Sequence, residues 1–147
     1  AFTSDFLVGY PGETETHFPE TLALIEEVNF ATAYSFTYSP RPGTPAALLE
    51  TQVAEDVKKE RLVRLQALLQ SQQKRFNQNS VGSVMPILFE RQGARPGQLL
   101  GRSPYLQSVH ATVSQRLMGQ IVPVHIIDAT LSSLSGEIVI QDEEIAA

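Results

Sequence analysis

Two short stretches of this sequence combine residue types that can hold a small ligand. In Gly9-Tyr10-Pro11-Gly12-Glu13, two glycines that let a backbone approach a ligand closely flank a stiffening proline. Ser39-Pro40-Arg41-Pro42-Gly43-Thr44 sets Arg41, the single base of the first 55 residues, between two prolines. Its guanidinium can take a carboxylate or phosphate in bidentate fashion. The same residues also suit plainer roles: a tight strand-to-helix turn, and a surface ion pair with one of many nearby acids. A third group, Arg91, Arg95, Arg102 and Arg116 with Tyr105 and His110 near them, pairs phosphate-binding cations with rings that can stack on bases. Its plain alternative is a set of solvated arginines.

Other chemistries lack their residues. The chain has no cysteine, so neither a disulfide nor a thiolate-held zinc or iron-sulfur site can form within it. His17, His110 and His125 are too scattered to form a metal-ligand pattern, and no metal site is expected in this segment. There is no nucleophile elbow, Walker loop or dinucleotide fingerprint, so hydrolase and dehydrogenase readings have no support. No apolar run approaches the roughly 20 residues of a membrane helix, and the start lacks the basic residues of a secretory signal. A cytoplasmic protein without membrane attachment is expected.

The net charge of −5 conceals a division along the chain. Residues 1–55 carry one base against eight acids, residues 56–136 ten bases against four acids, and residues 137–147 four acids alone. An acidic first half joined to a basic block fits a partner that is a polyanion, although a solvated helix face accounts for part of it.

The elements that must position these groups follow from hydrophobic spacing. Phe2–Gly9 reads as a strand, and Phe18, Leu22, Ile25 and Val28 recur at helical spacing over about four turns. Thr14 or Thr16 is placed to cap that helix. Ala33–Tyr38 reads as a second strand, making a βαβ unit whose strands run parallel. Both candidate turns then lie where strands end, on one rim, which is where parallel α/β folds bind ligands. Two strands and one helix leave sheet edges unpaired, so further βα units ahead of Ala1, or a partner, are expected. From Ala54 to Asn77 a long amphipathic helix is predicted, with Leu62, Leu65, Leu69 and Phe76 opposite Lys58, Lys59, Arg64 and Lys74. Lys74 and Arg75 can add phosphate contacts. Beyond Gly82, runs at Val84–Phe89, Gln107–Val113, Ile121–Ala129 and Glu137–Ile140 predict four or five short strands in a small barrel.

The stretch Ser4-Asp5-Phe6-Leu7-Val8-Gly9-Tyr10-Pro11-Gly12-Glu13-Thr14, followed by Tyr34-Ser35-Phe36-Thr37-Tyr38-Ser39-Pro40-Arg41-Pro42-Gly43-Thr44-Pro45-Ala46, resembles the methylthiotransferase family of radical-SAM enzymes. The Lys-Lys-Glu-Arg-Leu pattern within Val57–Leu69 continues the likeness. The segment after it resembles the TRAM domain, with Gly101-Arg102-Ser103-Pro104-Tyr105-Leu106-Gln107-Ser108-Val109-His110 nearest to the MiaB-type tRNA branch. Tyr10 stands where phenylalanine is commoner.

The resemblance implies an α/β plus all-β chain. Residues 1–78 would be the last βαβ portion of a partial TIM-like radical-SAM barrel with its long helix, residues 79–141 a small antiparallel OB-like TRAM barrel, and residues 142–147 an acidic tail. It implies S-adenosylmethionine as cofactor, with Leu7, Gly9, Pro11, Gly12 and Glu13 on one wall of its pocket and Tyr38 and Arg41 on the other. Leu7 is placed to pack on the adenine, and Glu13 to organise the turn. Two 4Fe-4S clusters would be held by ligands outside this chain, which alone is expected to be inactive, and no residue here is assigned a bond-making role. The substrate would be the isopentenylated adenosine beside the tRNA anticodon, gripped through Arg75, Arg91, Arg95, Arg102, Tyr105, His110 and Arg116. A reductant for the cluster is a further implied partner, and the chain is expected to be a monomer. The branches acting on a ribosomal protein or on threonylcarbamoyl-adenosine, and a free-standing TRAM-type RNA-binding module, are the alternatives.

Overall fold

Alternating burial along Thr3–Val8 (β1) and Thr32–Thr37 (β2) turns Phe6, Val8 and Ala33 to one side, where helix His17–Val28 (α1) lays Phe18, Leu22 and Ile25 against them. The computed structural model describes residues 1–139; the acidic stretch 142–147 and the last two residues assigned to the barrel, 140–141, lie outside them. β1 and β2 pair in parallel from Thr3↔Thr32 to Val8↔Thr37, as a βαβ unit requires. Among the described residues neither has a second partner strand. The other side of this sheet leaves Leu7, Tyr34 and Phe36 exposed.

α1 is 12 residues long, a little over three turns rather than four. It has no side-chain cap at Thr16. Instead Thr14 Oγ1 accepts from the backbone N–H of Thr16 and of His17, both at 3.3 Å, because Thr14 precedes the first turn with its hydroxyl folded back over it. The helix ends at Asn29, whose left-handed φ of 57° lets its N–H reach Ile25 O at 3.0 Å. The buried Gln72 side chain then donates to Ile25 O at 2.7 Å and accepts from Phe30 N at 3.0 Å, satisfying groups that the helix end leaves open.

The long helix runs from Glu55 to Asn79 (α2), after a short 3₁₀ turn at Pro45–Leu48. Leu65 and Leu69 complete the first core with Val8, Phe18 and Ile25. Lys58 departs from the expected solvent face: it is 2% exposed, because the turn at Gly9 and the end of β2 close over its stem. The chain divides into two compact units, Ala1–Gln73 and Lys74–Ala147. No helix among the described residues is long and apolar enough to cross a membrane.

The second unit is a closed, OB-like barrel of five strands, Val84–Gln92 (β3), Gln98–Arg102 (β4), Ser108–Thr112 (β5), Ile121–Ala129 (β6) and Ser133–Ile138 (β7), in the order β3-β4-β5-β7-β6. Closure leaves no open edge. One pair, β5 with β7, is parallel, so the barrel is not wholly antiparallel: β6 crosses to the far side before β7 returns beside β5. Inward positions at every second residue supply the core, including Ile87, Phe89, Leu99, Val109, Val124, Ile126 and Leu134.

Gly101 lies inside β4 where β3 passes too close for a side chain. A Cβ there would fall on Leu88 O and within 2.7 Å of Ile87 Cγ2. Gly101→Ala is therefore expected to destabilise the barrel by about 1–3 kcal/mol, the usual cost of overpacking, read as a lower urea midpoint at unchanged m-value.

Candidate RNA-binding face and a second cleft

The register of the barrel aligns outward residues in a row across four strands. Arg91 on β3 faces Leu100 on β4, which faces His110 on β5, which faces Ser135 on β7. A bulge between Phe89 and Arg91 shifts the register just before the row, so Phe89 stays in the core while Arg91 turns outward. All four residues line a groove of about 1140 Å³. Arg95 joins them from the β3–β4 loop, which is held by Gly93 N–H to Gln98 O at 2.7 Å and Gln98 N–H to Arg95 O at 3.1 Å. Two guanidinium groups and an imidazole thus share one concave surface, with Glu137 the one carboxylate among its lining residues. In OB barrels this face and the loop joining the first two strands bind oligonucleotides.

The other sequence-named cations lie elsewhere on the unit. Arg102 donates to Leu106 O at 3.0 Å and sits 3.6 Å from Glu90. Tyr105, on the β4–β5 loop, stands edge-to-face with Phe76 at 5.5 Å between centroids. Arg116 is exposed on the 3₁₀ turn Gln115–Leu117, and Arg75 is exposed on α2. Neither lines the groove. Gln98, Leu100 and Ser135 do, and only strand register reveals them.

In the first unit, Leu7, Tyr38 and Arg41 share a cleft of about 540 Å³, floored in part by Phe36, with Thr37, Ser39 and Thr44 as polar lining. Tyr38 also carries a buried hydroxyl with no hydrogen-bond partner. Gly9, Pro11, Gly12 and Glu13 do not line this cleft; they form a turn held by its own hydrogen bonds and by one to Thr51. Gly9 N–H donates to Glu13 Oε1 at 3.1 Å, Glu13 N–H to Tyr10 O at 2.9 Å, and Gly12 N–H to Thr51 O at 2.8 Å. Gly9 has a φ of 75° and a Cβ there would strike the Lys58 stem, so both conformation and space require glycine.

Two buried cations on α2 brace these turns, and their burial was not apparent in the sequence. Lys58 donates to Tyr38 O at 3.2 Å and pairs with Glu55 at 2.7 Å. Arg61, 3% exposed, donates to Glu13 O at 3.2 Å and Glu13 Oε1 at 2.6 Å, and also pairs with Glu15. Burial lowers the stability of its charge, but hydrogen bonds to Glu15 and Glu13 outweigh that, and the guanidinium pKa lies above arginine's ordinary value. A readable signal was the spacing: bases at 58 and 61 match one helix face, and the chain's first half is acidic with one base of its own.

The order and closure of these strands fit an oligonucleotide-binding barrel, and residues 78–139 match the family model of the TRAM domain, so that the second unit carries a TRAM domain, a generic RNA-binding module, at those residues.

Proposed function

We propose that this chain binds RNA through the barrel groove and belongs, as the C-terminal part, to a radical-SAM methylthiotransferase acting on the isopentenylated adenosine beside the tRNA anticodon. The observation that carries the RNA reading is the gathering of Arg91, Arg95 and His110 into one groove of a TRAM domain. Phosphates meet the two guanidinium groups while Leu100 and His110 offer a flat floor to sugar and base.

The enzymatic half of the proposal rests on the sequence resemblance and on the cleft in the first unit. That cleft suits S-adenosylmethionine: its volume lies in the range of small-molecule sites, Leu7 and Phe36 give an apolar surface for adenine, and Arg41 matches a carboxylate. The buried Tyr38 hydroxyl is a donor still lacking a partner. When bound, one molecule of the cofactor would supply, on reductive cleavage to methionine, the radical that activates the adenine carbon, and a second, uncleaved molecule would supply the methyl group. The residues of this chain bind and orient the cofactor, while Lys58 and Arg61 hold the flanking turns. The chain has no cysteine, so ligands for the two clusters would have to come from outside it, as would the reductant.

The test is binding of the chain to an unmodified anticodon stem-loop across a salt series. Wild type should bind with an affinity that falls steeply with salt. Arg91→Ala combined with Arg95→Ala should weaken binding and flatten the log-log slope by about 1 to 2, one unit or slightly less for each phosphate no longer neutralised. A folded chain that does not bind at low salt would remove the RNA reading.

A further inference from the structure

The β4–β5 loop, residues 103–107, is built more firmly than a connection requires. Leu106 holds a left-handed φ of 62°, a conformation that costs a branched side chain strain, and yet 66% of it is exposed. No burial of that side chain offsets the strain. Tyr105 beside it is 45% exposed, with its ring steadied edge-to-face by Phe76. Beneath the tip, buried Ser103 Oγ accepts from the N–H groups of Tyr105 and Gln107, both at 3.2 Å. Gln107 Nε2 donates to Asn77 Oδ1 at 2.9 Å, and the Asn77 amide in turn donates to the carbonyls of Thr130 and Leu131 at 3.1 and 2.9 Å. The tip is thus pinned to the end of α2 and to the β6–β7 loop while its two apolar side chains point at solvent.

We infer that Tyr105 and Leu106 form a preorganised stacking tip for an unpaired RNA base, a contact separate from the phosphate-binding groove. The inference rests on the RNA-binding reading above. The charge at the loop favours this occupant: the half-exposed Arg102 guanidinium is held 3.0 Å from Leu106 O, with Glu90 3.6 Å from its Nε, so a phosphate next to the stacked base meets a positioned cation that it shares with Glu90. A rigid ring beside an arginine gives base stacking with little ordering cost on binding, and it tolerates any base, since every base has a π face. Neither Tyr105 nor Leu106 lines the groove, so the two contacts can be removed separately.

The experiment compares the full chain with its Tyr105→Ala, Tyr105→Phe and Leu106→Ser variants, on a stem-loop with 2-aminopurine in the loop and on a blunt duplex of the same stem. Tyr105→Ala should weaken stem-loop binding by roughly tenfold or more, leave duplex binding and the salt slope unchanged, and abolish quenching of the 2-aminopurine. Tyr105→Phe should retain both affinity and quenching, which separates stacking from a hydroxyl contact, and Leu106→Ser should fall between the two. Equal weakening on stem-loop and duplex, or stem-loop binding untouched by Tyr105→Ala while the Arg91 and Arg95 double variant weakens it, would overturn the stacking tip and leave the groove standing. Wild-type chain that binds neither RNA would overturn both.

Discussion

Arg61→Met should destabilise the first unit by about 3 kcal/mol, because it takes a buried guanidinium from the nearly buried Glu13, while the exposed Glu15 is left to water. Methionine keeps most of the side-chain volume, so packing around Phe18 is largely preserved and the loss is electrostatic. Glu13 would be deprived of its short ion pair at 2.6 Å while still accepting from Gly9 N–H, and its carbonyl would be without a donor now at 3.2 Å. Amide exchange should report the change locally, with the largest acceleration over residues 9–15. Arg64→Met is the contrast. Arg64 is half exposed, its pair with Glu60 at 3.3 Å is an ordinary helix-surface interaction, and its removal should cost under about 1 kcal/mol. Equal effects from the two substitutions would show that burial of Arg61 contributes nothing to the turn.

Those two arginines also mark what was legible in the sequence and what was not. Periodicity gave the two parallel strands, both helices and three of the five barrel strands, since each buries one face and carries the matching spacing; for the last strand it marked Glu137–Ile140, of which only residues 137 and 138 fall in β7, Ser133–Ile138, and Ile140 lies outside the described residues. It missed β4, because Gln98-Leu99-Leu100-Gly101-Arg102 puts two leucines side by side and a glycine at an inward position, hiding the alternation. Helical spacing placed Lys58 on the solvent side of α2 because spacing assigns faces by polarity, and a cation buried against carbonyls and carboxylates breaks that rule. The cleft residues Leu7, Tyr38 and Arg41 come together from strand ends as a parallel unit dictates. In the first turn Gly9 bonds to Glu13 and Gly12 to Thr51 instead, and glycine and proline types alone could not distinguish these outcomes. On the barrel, side-chain type identified Arg91, Arg95 and His110, but Ser135 and Leu100 enter the row only through register, and the β5–β7 pairing that brings Ser135 there is the parallel one.

Phe89→Ala should cost the barrel about 3–5 kcal/mol, a large share of the roughly 5–15 kcal/mol that holds a typical domain together. The ring is fully buried among the inward residues of the strands, and its backbone is fixed on both sides: its N–H donates to Gln120 O at 3.1 Å and its carbonyl accepts from Gly119 N–H at 2.7 Å. With the backbone held at the bulge, neighbours cannot close in, and the deleted ring leaves a cavity rather than a repacked core. Exchange of the core amides of Ile87, Leu99, Val109 and Val124 should accelerate together, as the barrel opens as one unit. The bulge directs consecutive stretches of β3 to opposite sides, so the two kinds of substitution separate cleanly. Below its melting range Phe89→Ala should bind RNA with the wild-type salt slope, since Arg91 still faces the groove, whereas the Arg91 and Arg95 double variant should flatten the slope with little effect on stability. A Phe89→Ala chain that remains folded but shows no salt-dependent binding would mean that Phe89 packing also fixes the position of Arg91, and that the groove depends on the register at the bulge.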